Sequence, residues 1–181
     1  MIKKLFGIGF FVTLLSIIGL SPLAVATAAG FTHYGYRIGV DPVEGPVITR
    51  AANGDTIEVM GQGTFSFGPT SVTGGGTLVH KNADGDVIGH GTWTATRILS
   101  FDPWGTSPGF PPTFEGGRAV MRINIKPVEN FPGIFDGFLT VTCLIGTVPP
   151  GSHEGIKLYV PRVGLDFNQE VSGETLFIRL P

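Results

Sequence analysis

The sequence predicts an all-β protein: a single-domain antiparallel β-barrel of about eight to ten short strands, preceded by an N-terminal signal helix. Three observations predict it. No stretch after residue 30 carries apolar residues at i, i+3, i+4 and i+7 over the length of a helix. Short runs rich in Val, Ile and Phe instead alternate with a period of two between turn signals. Glycine and proline are abundant, 28 and 14 of 181 residues, and between runs this apolar they mean dense turns rather than disorder. Closure into a barrel removes the exposed edges that such short strands would otherwise carry. A two-sheet β-sandwich is the alternative.

Residues 1–28 read as a signal peptide and residues 29–181 as the all-β domain. Lys3 and Lys4 precede the apolar run Leu5–Leu20, and Ala26-Thr27-Ala28 fits a small-residue cleavage rule. The apolar run is shorter than the ~20 residues a membrane span needs, so cleavage is expected and no span should remain afterwards. The expected location is secreted or extracytoplasmic. Removing Lys3 and Lys4 makes the formal charge of −2 more negative, and no basic cluster survives, which argues against nucleic acid as a partner. Cys143 is the only cysteine, so no intrachain disulfide forms. It lies in the apolar run Leu139–Ile145, where a thiol acts as a small hydrophobe.

The strands follow in order. Tyr34–Val40 alternates until Asp41-Pro42 stops it. Val47–Arg50 and Thr56–Phe67 flank an Asn53-Gly54 hairpin signal, with Ile57, Val59, Gly61, Gly63, Phe65 and Phe67 on one face. Glycines within that strand imply a bend or a close backbone approach. Thr77–Lys81 and Val87–Phe101 flank Asn82-Ala83-Asp84-Gly85, the clearest hairpin in the chain, and Trp93 shares a face with Val87, Gly89, Gly91 and Ala95. Arg118–Lys126 alternates again. Phe135–Ile145 becomes apolar on both faces, as a central strand does. Gly155–Val160, Leu165–Phe167 and Glu174–Leu180 complete the set.

Gly91-Thr92-Trp93 is similar to the G-x-W of lipocalin and avidin barrels, although it stands mid-chain here. Glycine bends before an aromatic also resemble those of dirigent and allene-oxide-cyclase barrels. Most of the domain is covered by a closer likeness: Gly54-Asp55-Thr56, Gly74–Thr77, Phe114–Arg118, Thr140–Cys143 and Val171-Ser172-Gly173. Together these resemble a group of predicted exported microbial small all-β proteins with no assigned function. That resemblance implies export and one domain, and no chemistry.

Few residues point to a site. Asp102–Gly117 reads as a loop of unusual length carrying Trp104, Phe110 and Phe114, with Arg118 beside it, and these four are the ligand-binding candidates. Its aromatics either plug one end of the barrel or present a binding edge. Glu115 near Arg118, and Asp136 near Glu129, read as surface carboxylates. His80 and His90 flank the central hairpin and are the weak metal candidates. A three-residue loop pairs Asn82 with Asp86 and puts both histidines on one face, whereas a two-residue loop separates them. Asn82–Asp86 opens like a calcium loop, but the twelfth position is Trp93 rather than a glutamate. No nucleophile elbow, phosphate loop or zinc-protease motif occurs, so no metal or cofactor is expected. The expected function is a binding or structural role towards a small apolar ligand or a cell-envelope partner. An isomerase or cyclase working in a barrel cavity is the alternative.

Overall fold

The computed structural model describes residues 32–68, 70–128 and 133–181. The signal segment and Glu129 lie outside them. Ten strands form: β1 Thr32–Ile38, β2 Val47–Ala51, β3 Thr56–Phe67, β4 Ser71–Lys81, β5 Val87–Gly105, β6 Phe114–Pro127, β7 Phe135–Cys143, β8 Gly155–Val160, β9 Leu165–Ser172 and β10 Thr175–Leu180. One 3-10 turn, Pro161–Val163, is the only helical element among the described residues. No helix there is long and apolar enough to cross a membrane, which says nothing about crossing by strands.

The strands make one antiparallel sheet that curls in a ring. Two strands carry the closure. Along one edge β3 pairs with β4 from Thr56 to Ser66. Its other edge takes β2 at Thr56–Val59 and then β1 at Gly61–Phe67. Likewise β6 pairs with β5 along one edge, and with β10 at Phe114–Glu115 and β7 at Gly117–Ile125 along the other. The wall opposite β4 and β5 is therefore forked. At one end the circuit runs β3-β4-β5-β6-β7-β8-β9-β2, eight strands, and at the other β3-β4-β5-β6-β10-β1, six strands.

Both hairpins form as the sequence predicts. In each, an asparagine and a glycine close the turn: Gly54 N donates to Ala51 O at 3.0 Å, and Gly85 N to Asn82 O at 3.0 Å. Gly54 and Gly85 take φ of 92° and 90°, a region closed to most other residues. The predicted spans Thr56–Phe67 and Gly155–Val160 match β3 and β8.

The alternation also places the core. Ile57, Val59, Gly61 and Phe65 of β3 point inward and are buried, with Gly63 half-buried among them, while Phe67 lies exposed at the strand's end. Trp93, Tyr36, Phe65, Phe167 and Phe177 are the largest side chains that fill the ring. The six-stranded end is closed by Tyr34, Phe65, Phe101 and Phe177, whose rings meet at centroid distances of 4.6–6.0 Å.

Three expectations need correction. The strand predicted as Thr77–Lys81 starts earlier, at Ser71, so that Gly74-Gly75-Gly76 is part of β4, paired with Gly63, Gln62 and Gly61. Asp102–Gly117 is not one long loop, because Asp102–Gly105 continues β5 and Phe114–Gly117 begins β6. Register shifts at Ala95/Arg97, Ile98/Ser100 and Pro103/Gly105 carry β5 through Pro103, and bulges tolerate a proline that a regular ladder does not. Val87 does not share the buried face of Trp93 and is exposed. A bulge between Lys81 and His80 turns the start of β5 out of phase.

Candidate functional site

The four sequence-derived candidates do not converge. Phe110 is 53 % exposed, and with the half-buried Phe114 it edges a hollow of about 280 Å³ that the buried Cys143, Ile145 and Leu176 also line. Trp104 is buried, at 8 % exposure, yet lies outside the core cluster. Its Nε1 donates to Asp102 Oδ2 at 3.1 Å, and the Arg118 guanidinium covers its ring at 5.6 Å. Trp104 is thus no plug of a ring end. Arg118 itself lines a different outer hollow of about 400 Å³.

Glu115 is a second correction, being a buried carboxylate at 3 % exposure rather than a surface one. Its Oε2 accepts from Arg179 Nε at 3.0 Å and Nη2 at 2.7 Å, so the charge is paired where β10 meets β6. Burial, and then the Glu115 charge, raise the Tyr34 phenol above its ordinary value. Asp136 is exposed as expected and meets Arg122 at 3.1 Å.

The eight-stranded end holds a site that inspection of single motifs missed. An apolar hollow of about 360 Å³ opens there, walled by Ile57, Leu78, Ile125, Phe135, Val160 and Phe167. These residues stand near the ends of six different strands, and each points inward by the alternation of its own strand. One polar side chain among the wall residues carries an ionisable group, His80. Its Nε2 lies 3.2 Å from Asp55 Oδ2, and its ring meets Phe167 edge-on at 5.4 Å. Its other ring nitrogen, Nδ1, has no hydrogen-bond partner among the described residues.

His80 reaches this hollow because of the bulge. The turn is the three-residue form, with Asn82 N donating to Asp86 O at 2.9 Å. The shift at Lys81 then pairs His80 with Gly89 and Val79 with His90. Paired residues share a face, so His80 points inward while His90 faces solvent. The two histidines cannot share an ion, and no group of three His, Cys, Asp or Glu that could hold a metal occurs among the described residues. The strand ends that build this site are far apart in sequence; only the order β3-β2-β9-β8-β7 brings them together.

An apolar hollow with one imidazole oriented by a carboxylate can do two things. It can take up a small apolar molecule and fix its orientation by one hydrogen bond. It can also move a proton, because a carboxylate that binds one ring nitrogen sets the tautomer presented at the other. Comparison with protein-family models, with curated proteins and with solved structures finds no match.

Proposed function

We propose that the chain is an exported β-barrel that binds a small apolar ligand in the hollow at its eight-stranded end, with His80 as the orienting group. The observation that carries this reading is the difference between the two ends of the ring. Closing eight strands leaves an interior wide enough for one small ligand, whereas six strands are filled by their own side chains. The aromatic cluster at the six-stranded end and the apolar hollow at the other follow that rule. Export rests on the signal segment, whose removal after Ala28 would be read from the N-terminal mass of the secreted protein.

The test is a titration with an environment-sensitive apolar dye, followed by competition with fatty acids, alkanols and phenols. Saturable binding at one site is expected, and Leu165→Trp, which adds bulk to the lining of the hollow, should abolish it. Unchanged dye binding by a folded Leu165→Trp protein would overturn the reading.

The His80–Asp55 contact supports a second reading, an isomerase or cyclase in which His80 transfers a proton on an apolar substrate. Under that reading His80→Gln keeps dye binding and loses turnover. Under the first it changes only which head group is preferred.

A further inference from the structure

On the outer face of β6, β7 and β8, the hollow that Arg118 lines is polar, and it stands apart from the apolar end of the ring. We propose that it binds an anionic sugar, a hydroxyl-rich ring bearing one carboxylate or phosphate. The floor is Thr140 and Thr142 of β7, with Ser152 at one edge. Cations stand on both sides: Arg118 on β6 is paired with Thr142, and Lys157 on β8 is paired with Thr140. Strands lie about 4.8 Å apart, so the two cationic stems rise on the order of 10 Å from each other across the threonines. That gap matches one sugar ring with its acidic group. His153 adds a third nitrogen-bearing side chain to the same wall.

Arg118 is the anchor. It makes no ion pair among the described residues. One face of its guanidinium lies over Trp104, and Nη2 donates to Ser152 Oγ at 3.2 Å. The fork is therefore held in place with most of its five N–H donors unspent, and a planar fork of this kind matches the oxygens of a carboxylate or phosphate. Lys157 is less free, since Glu170 lies 3.4 Å from its Nζ. Glu170 lines the same hollow, so Arg118 is the cation there that no carboxylate among the described residues offsets. The hydroxyls on the floor can both donate to and accept from a polyol, whereas an inorganic anion draws on them chiefly as donors.

The exported protein titrated by calorimetry with glucuronate, glucose 6-phosphate, glucose and inorganic phosphate tests this. Glucuronate or glucose 6-phosphate should bind at least about tenfold tighter than both glucose and inorganic phosphate, and which acid wins identifies the source of the charge. Binding should weaken with added salt because the site is open to solvent. Arg118→Lys keeps the charge but loses the fork and should cost about tenfold in affinity, whereas Glu170→Gln releases Lys157 and should strengthen binding several-fold. Glu170→Gln keeps the test alive even if removing the guanidinium unsettles Trp104. Absence of saturable binding of either acid at concentrations on the order of 10 mM would overturn the proposal. So would equal affinity for inorganic phosphate, or indifference to both substitutions.

Discussion

Trp93 on β5 reaches across β4 and lies against Gly61 on β3, and its Nε1 donates to the carbonyl of Met60 at 3.1 Å. A Cβ on Gly61 would collide with the indole, and one on Gly76, the strand partner of Trp93, would collide with the Met60 carbonyl. The small residues of β5 do not make the room for the indole. The glycines of β3 and β4 do. Tyr36 uses the same device from the other side: its hydroxyl sits over Gly63 and Gly74 and donates to Thr73 O at 2.8 Å. The glycine run of β4 is thus part of the wall on which the two largest core rings rest.

Trp93→Ala should cost about 3–5 kcal/mol, as for other buried large aromatics. Gly61→Ala should cost about 1–3 kcal/mol by overpacking the same place, although alanine is otherwise the milder residue in a strand. Urea melts of both variants check this. Losses below about 1 kcal/mol for Trp93→Ala would mean that the indole does not fill the ring.

Much of the fold was legible because alternation is local. Ile57, Val59 and Phe65, or Ile156, Leu158 and Val160, declare their buried face within one strand. Gly74–Gly76 was not, since a glycine serves a turn and a close backbone approach equally well and only Trp93 and Tyr36 decide between them. Trp104 was misplaced because three bulges in β5 reset the alternation, and a bulge leaves no periodic trace. The bulge at Lys81 likewise separates His80 and His90, which a three-residue loop with regular pairing would put on one face. The apolar site depends on β2 pairing with β9, residues more than a hundred positions apart, and no local pattern announces that contact.

Cys143 should be inert in the folded protein. It is buried, and burial first and the Glu154 carboxylate second push its thiol up to about 12. A thiol held protonated is a poor nucleophile. A thiol-specific reagent near neutral pH should therefore leave the native chain unmodified, and modify one site once the chain is unfolded in denaturant. Rapid labelling of the native protein would contradict the burial.

Stability should fall at alkaline pH through two tyrosines. Burial raises the Tyr36 phenol well above its ordinary value of 10.0, and Tyr34 is raised by burial and by Glu115. Below that value both states hold the proton and nothing is lost. Above it the unfolded chain releases protons that the folded ring retains, so unfolding becomes easier as pH rises from about 10 towards the folded values. The phenolate absorbance of these two side chains should appear together with unfolding rather than before it. Replacing Tyr36 by Phe should remove part of the alkaline loss, and an unchanged profile in that variant would sink the assignment.

Trp104 is the sharpest test of the outer face. Three aromatic residues between Asp102 and Gly117 are too apolar to be left together in solvent, so burial of some of them was expected. The structure divides them instead: Trp104 is covered, Phe114 is half-covered and Phe110 is exposed. What covers Trp104 is the Arg118 guanidinium, an apolar-faced cation that can lie flat on an indole. In a Trp93→Phe background Trp104 emission should be blue-shifted and poorly quenched by acrylamide, which is neutral and is not drawn in by Arg118 as iodide would be. Arg118→Gln should uncover the ring, raising the quenching and shifting emission to the red. Trp104→Ala should cost about 2–4 kcal/mol, towards the lower end for a large buried aromatic because one wall of its site is a flexible side chain. A loss within about 0.5 kcal/mol, together with free quenching in the Arg118 protein, would make Trp104 an ordinary surface residue. It would also remove the platform on which Arg118 is held for an anion.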